Sequence, residues 1–123
     1  MKRILITGAS GQIGTPLTLY LRDRYGGDDV IAATHLTRPC TDLIDSGPCV
    51  TVEVKDFHSV EKVVREYEVD TIFHLAALLS AVAEENPQLA WEVNMTGLRN
   101  VLEVARTCGC AVFFPSSIGA FGP

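Results

Sequence analysis

Residues 3–14 read Arg3-Ile4-Leu5-Ile6-Thr7-Gly8-Ala9-Ser10-Gly11-Gln12-Ile13-Gly14, and the rest of the chain is organised around them. The apolar run Ile4 to Ile6 predicts a short buried parallel strand. A turn with glycines at 8, 11 and 14 follows, and a helical pattern begins at the last of them. Each glycine has a mechanical reason to be there. Gly8 lets the chain leave the strand in a tight turn. Gly11 removes a side chain so that the backbone can approach a pyrophosphate, and Gly14 lets the first helical turn pack closely on the strand. The helix start offers free N–H groups and the positive end of a dipole, which suits a phosphate. Glycine triplets also occur in plain structural turns. Here the preceding strand and the following helix supply the context that points to a dinucleotide.

The composition agrees. The chain has 123 residues, enough to bury a real core, and 47% of them are hydrophobic. That is rich for a soluble chain and fits parallel strands covered on both faces. No apolar stretch is long enough to cross a membrane, and the first strand starts too early to leave room for a signal or transit peptide. These features predict a cytoplasmic protein without a membrane partner. A net charge of −5 with no basic run argues against a nucleic-acid surface. Cys40, Cys49, Cys108 and Cys110 match no standard zinc spacing, so no metal site is expected. Cys108-Gly109-Cys110 is too tight for an easy internal disulfide, and reduced thiols are expected instead.

Along the chain, strand and helix alternate. Ile13, Leu17, Tyr20, Leu21 and Arg24 follow helical spacing, with Pro16 tolerated in the first turn and Gly26-Gly27 as the stop. Val30 to Ala33 predicts a second strand, and His35 to Pro48 reads as a loop. Val50 to Val54 predicts a third strand. Val60, Val63, Val64 and Tyr67 then mark one face of an amphipathic helix capped by Ser59 or Asp56. Thr71 to Leu75 is a fourth strand. Asn86-Pro87 opens a long helix through Leu89, Val93, Val101 and Ala105, which Gly109 ends. Ala111 to Phe114 is a fifth strand. The pattern predicts an α/β, doubly wound parallel sheet of the Rossmann type, five strands with helices on both faces. Its ligand crevice lies beyond the carboxyl ends of the strands. Five stretches converge there: Gly8 to Ile13, Thr34-His35, Glu53-Val54, Leu75 to Ser80, and Ser116-Ser117.

On these residues a family becomes visible. The opening Ile-Thr-Gly-Ala-Ser-Gly-Gln-Ile-Gly, then Phe-His-Leu-Ala-Ala, Val-Asn-Met-Thr-Gly and Pro-Ser-Ser-Ile-Gly-Ala-Phe-Gly resemble the extended short-chain dehydrogenase/reductases. Within them, His74-Leu-Ala-Ala-Leu-Leu-Ser-Ala81 and Glu85-Asn-Pro-Gln-Leu-Ala-Trp91 are similar to the epimerase-type L-threonine 3-dehydrogenases. The resemblance implies an NAD-dependent oxidoreductase, with NADP possible, that oxidises L-threonine to 2-amino-3-oxobutyrate and is a homodimer when complete. It assigns the cofactor to Gly8, Gly11, Gln12, Ile13, Gly14, Thr34, Glu53, Val54, Leu75, Ala76, Ala77 and Asn94. Ser117 matches the serine that hydrogen-bonds the substrate hydroxyl and steadies a developing oxyanion. Ser80 and Ser116 are the substrate-binding candidates, against plainer roles as a loop hydroxyl and a strand-end backbone partner. His74 reads as structural, and Trp91 and Met95 as helix packing.

The chain departs from the family's pattern in three ways. Thr34 stands where the family places an acidic residue for the adenosine ribose, and a hydroxyl makes one weak bond where a carboxylate makes two charge-assisted ones. With His35 and Arg38 nearby, a 2′-phosphate is not excluded by repulsion. Glu53 replaces the usual Asp near the adenine. The family's Tyr-x-x-x-Lys pair is absent: Tyr20, Tyr25 and Tyr67 are the only tyrosines, and none has lysine four residues on. Residues 1–123 are therefore expected to form an incomplete dinucleotide-binding domain without the substrate domain, inactive alone. The rival readings are a nucleotide-sugar epimerase or dehydratase, and a dinucleotide-binding fragment without catalysis.

Overall fold

The computed structural model describes residues 2–11, 13–35, 38–75 and 87–113. Five strands, β1 (Ile4–Thr7), β2 (Val30–Thr34), β3 (Cys49–Thr51), β4 (Thr71–His74) and β5 (Ala111–Phe113), form one sheet in the order β3-β2-β1-β4-β5. Every pairing is parallel. The helices are α1 (Gly14–Tyr25), α2 (Thr41–Ser46), α3 (Phe57–Glu66) and α4 (Pro87–Cys108), with a 3-10 turn over Gly27–Asp29.

The apolar strands follow from burial on both faces. β1 and β2 are buried at every position. Alternate side chains serve opposite layers. Ile4, Ile6, Val30 and Ala32 pack with Leu21 of α1. Leu5, Ile31 and Ile72 pack with Val60, Val63 and Val64 of α3 and Val101 and Val104 of α4. The predicted doubly wound sheet is the one observed.

The face of α1 differs from expectation. Ile13 and Tyr20 are 64% and 58% exposed, whereas Gly14, Thr18, Leu21 and Arg22 are buried. Apolar spacing misleads here because two polar side chains are fully partnered. The Thr18 hydroxyl donates to Gly14 O at 2.6 Å. Arg22 Nε donates to Val30 O at 3.1 Å, and its terminal nitrogens reach Leu43 O, Ser46 Oγ and Pro48 O. A planar guanidinium with five donors can satisfy several carbonyls at once. It thereby closes the end of α2, a helix in the stretch read as loop. Leu43 of α2 is fully buried.

β3 is shorter than expected, three residues in place of Val50 to Val54. One further bond, Val52 N–H to Thr34 O at 2.9 Å, carries the pairing on. The chain then turns through Glu53 to Asp56, with Asp56 N–H donating to Glu53 O at 2.9 Å. Asp56 caps α3 by accepting from His58 N–H at 3.0 Å. Ser59, the other cap candidate, instead accepts from Glu53 N–H at 3.0 Å and pins that turn. Gly109, at φ +75°, ends α4 in the left-handed region, as glycine after a helix does. The four cysteines are free thiols, and Cys110 donates to Val69 O at 3.1 Å. Among the described residues no helix is long and apolar enough to cross a membrane. The expected Asn86 cap and Phe114 lie outside the described residues.

Candidate functional site: the carboxyl edge of the sheet

From β1 the chain proceeds outward to β2 and β3, then crosses back to β4 and β5 on the other side. The reversal opens a crevice between the carboxyl ends of β1 and β4, where ligands of such sheets bind.

The turn after β1 is built as its glycines require. Gly8 has φ +68°, and its carbonyl accepts from Gly11 N–H at 3.1 Å. Ala9 N–H donates to Ala33 O at 3.0 Å, which fastens the turn to the end of β2. A Cβ on Gly14 would run into Gly8 O and come within 2.8 Å of Ala9 Cα. The helix start is thus pressed onto the turn. A Cβ on Gly11 would lie 3.3 Å from Gly8 O, a cradle that any side chain there would crowd. Ile13, largely exposed, stands at the N-cap of α1. A helix start above a turn with glycines at 8, 11 and 14 fits a diphosphate.

Next to this turn, Thr34 ends β2 and is buried. Its neighbour His35 places Nε2 2.9 Å from Glu53 Oε2, so a side-chain contact bridges the ends of β2 and β3. Glu53 Oε1 also accepts from Lys55 N–H at 3.0 Å. Val54 is buried against α4, where a Cβ on Gly97 would approach Val54 Cγ2 at 2.9 Å. Asn100 Nδ2 donates to Val54 O at 2.8 Å. A glycine and an asparagine inside one helix let α4 lie close to this turn. The mid-helix glycine is the sequence signal for that approach.

On the other side of the crevice, Leu75 N–H donates to Thr7 Oγ1 at 3.0 Å, and Thr7 Oγ1 pairs with His74 Nδ1 at 2.8 Å. The strand ends of β1 and β4 are joined by side chains as well as by backbone. Burial pushes the His74 pKa down from 6.5 to about 4. The ring ties the end of β4 to Thr7 of β1. The unfolded chain therefore binds the proton more readily than the folded one. The stability this represents is complete above pH 6.5 and is lost as the pH falls toward 4. At 1.36 kcal/mol per unit the difference is on the order of 3 kcal/mol. Urea unfolding at pH 7 and pH 4.5 should show that loss in the parent and a smaller one in His74→Asn. Equal losses in both would remove His74 as the source.

The described cofactor candidates Gly8, Gly11, Ile13, Gly14, Thr34, Glu53, Val54 and Leu75 lie at this edge, and the partly buried Asn94 stands in α4 one turn before Gly97. Gln12, Ala76, Ala77, Ser80, Ser116 and Ser117 lie outside the described residues. Tyr20 and Tyr25 sit on α1, and Tyr67 follows α3. Among the described residues no group of three His, Cys, Asp or Glu side chains could hold a metal ion. An open groove of about 420 Å³ is lined by Met95, Leu98, Arg99 and Leu102 of α4.

The sequence profile of the NAD dependent epimerase/dehydratase family matches residues 4–123. The chain is 51% identical over 123 residues to an uncharacterized epimerase/dehydratase of Staphylococcus aureus strain USA300, covering 99% of this chain and 38% of that protein. It is similar in structure to L-threonine dehydrogenase from Clostridium difficile, with TM-score 0.91 and 48% identity over 98% of this chain and 38% of that one. It is also similar to UDP-glucose 4-epimerase from Thermus thermophilus in complex with NAD, with TM-score 0.76 and 32% identity over 87% of this chain and 34% of that one. The chain spans little more than a third of the length of these relatives.

Proposed function

The chain belongs to the NAD dependent epimerase/dehydratase family, and from that premise we propose that it binds the dinucleotide of an NAD-dependent oxidoreductase acting on L-threonine. The observation that carries the binding is the glycine turn at the sheet's switch point, closed by Gly8 and Gly14 and free of side chains at Gly11. The likeness to a threonine dehydrogenase over 98% of the chain supports the substrate.

In this reading Gly8, Gly11, Gln12, Ile13 and Gly14 hold the diphosphate. Thr34, Glu53 and Val54 border the adenosine. Leu75, Ala76, Ala77 and Asn94 line the nicotinamide side. Bound NAD would supply the hydride acceptor for C3 of threonine. Ser80 and Ser116 orient the amino acid, and Ser117 donates a hydrogen bond to the substrate oxygen. The proton of that hydroxyl needs a base, and no tyrosine of these 123 residues has a lysine four positions on. In the family that the chain resembles, that base is the tyrosine of a Tyr-x-x-x-Lys pair.

A second reading is a nucleotide-sugar epimerase, favoured by the likeness to the Thermus enzyme. NADH formation from L-threonine, set against interconversion of UDP-glucose and UDP-galactose, separates the two. We place the protein in the cytoplasm, as a homodimer when complete. Met95 and Leu102, 45% and 46% exposed on the outer face of α4, give a second copy an apolar surface to cover. The mass of the particle in solution tests this.

Cofactor choice gives a sharper test. Thr34→Asp is expected to tighten NAD and weaken NADP by roughly tenfold each, because a carboxylate bonds the ribose diol and repels a 2′-phosphate. An unchanged ratio in titrations of parent and variant would mean that position 34 is not at the ribose.

A further inference from the structure

The two edges of the sheet are built differently. β3 is preceded by Pro48 and followed by Glu53 and Lys55, and proline and charge at a sheet edge keep other strands away. β5 has no such guard. Residues 107–113 carry no charged side chain and no proline, and among the described residues no strand pairs with β5 on its outer side. Ala111 and Phe113 are exposed, and the Phe113 ring, 52% exposed, stacks on Phe73 of β4 with 5.1 Å between centroids. Val112 points to the opposite face and packs against the core shared with α3 and α4.

The backbone of this edge has a definite register. Ala111 N–H donates to Asp70 O at 3.0 Å, so Ala111 and Phe113 turn their backbone groups toward β4. In a parallel ladder the residue between them faces the other way, which leaves the N–H and C=O of Val112 on the outer side. A second β5 laid antiparallel about Val112 would exchange both bonds with its own Val112. This symmetric pairing sets residue 111 opposite residue 113 of the other copy, on one face of the sheet. A small side chain meets a large one at both places. On the other face the two Val112 side chains meet, and no like charges are brought together. The helices fit as well. α4 packs on β4 and β5, so its two copies would lie two strand spacings apart, roughly 10 Å, the distance at which helices pack.

We propose that the 123-residue chain pairs with a second copy of itself through β5, joining two five-stranded sheets into one continuous sheet. The contact is made by the strand edge and the Phe113 ring, not by the Met95 and Leu102 face of α4. It does not depend on the dinucleotide reading. With three residues of strand on each side the contact is small, so single chains and pairs exchange with concentration.

The test is sedimentation of the chain over a range of concentrations, with amide hydrogen exchange followed on the same samples. The parent should pass from single chains to pairs as concentration rises, and exchange at the Val112 amide should slow in step. Val112→Pro removes the outward N–H without touching a bond to β4, and should weaken pairing by roughly tenfold or more. Phe113→Lys, at an exposed position, removes the ring and places a charge on the edge, and should act in the same direction to a similar extent. Circular dichroism checks that each variant folds, and if Val112→Pro does not, Phe113→Lys alone decides. A parent that stays single at the highest concentration overturns the proposal. So does a pair that keeps its strength in the folded β5 variants, or whose Val112 amide exchanges as fast as in the single chain. Pairing lost in Leu102→Asp but kept in both β5 variants would give the contact to α4, which equally overturns it.

Discussion

Gly14→Val is expected to abolish dinucleotide binding and to cost about 3 kcal/mol or more of stability, the upper end of what overpacking does. The reason is geometric. The first atom of any side chain at position 14 would overlap Gly8 O and stand 2.8 Å from Ala9 Cα and 2.9 Å from Gly8 C. These are backbone atoms and cannot swing aside as a side-chain tip would. Gly8 is held at φ +68°, and Ala9 is tied to Ala33 O, so the turn cannot retreat without opening β1 from β2. The helix must then move off the sheet, carrying with it Leu21 and the Arg22 clamp on α2. Its N–H groups leave the crevice as well. Gly14→Ala should show the same direction with a smaller loss, offset in part by alanine's better helix propensity, about 1 kcal/mol. Gly11→Ala offers a control. Its Cβ would lie 3.3 Å from Gly8 O, so stability should change little while binding weakens. Urea unfolding and NAD titration of the three variants decide it. A Gly14→Val chain with parental stability would mean that the close packing is not needed.

The glycine turn is legible in the sequence because backbone constraints act locally. Three glycines at fixed offsets between a strand and a helix leave few conformations to choose from. The two-sided burial of β1 and β2 is equally legible, since a strand covered on both faces has no polar position to interrupt its apolar run. The buried face of α1 is not. Periodicity counts apolar residues, and α1 buries Thr18 and Arg22 in place of Ile13 and Tyr20. Arg22 is tolerable there because of Val30 O, Leu43 O, Ser46 Oγ and Pro48 O, partners up to 26 residues away that no local pattern reveals. The short α2 is hidden for the same reason. Its six residues carry little helix signal, and tertiary contacts with Arg22 and through Leu43 supply the rest. His35 and Glu53 each stand out in the sequence, yet far apart along it. Only the parallel pairing of β2 with β3 shows that they meet.

Isolated, the 123-residue chain is expected to bind NAD and to form no NADH from L-threonine. Joining it to a carboxyl-terminal portion of a relative that bears Tyr-x-x-x-Lys is expected to start the reaction. The phosphate turn, the Thr34 and Glu53 edge and the Thr7–His74–Leu75 junction are all in place among the described residues. In the proposed reaction the hydroxyl of threonine loses a proton as hydride leaves C3. His74 is a poor base for it, buried and with its pKa pushed down to about 4. Glu53 is occupied at the far edge by His35 and Lys55 N–H. A serine hydroxyl such as Ser117 is far too weakly acidic to be ionised at neutral pH. A positioned general base contributes typically about a hundred- to ten-thousand-fold, and substrate orientation by a closing domain contributes more. Without such a base the chain alone should fall short by about that factor. In the completed enzyme Ser117→Ala should lower kcat by roughly a hundredfold or more, as loss of one oxyanion donor does, while leaving NAD affinity unchanged. NADH absorbance with threonine as substrate reads both experiments. Appreciable turnover by residues 1–123 alone would place the base inside this chain and overturn the assignment of catalysis to a tyrosine outside it.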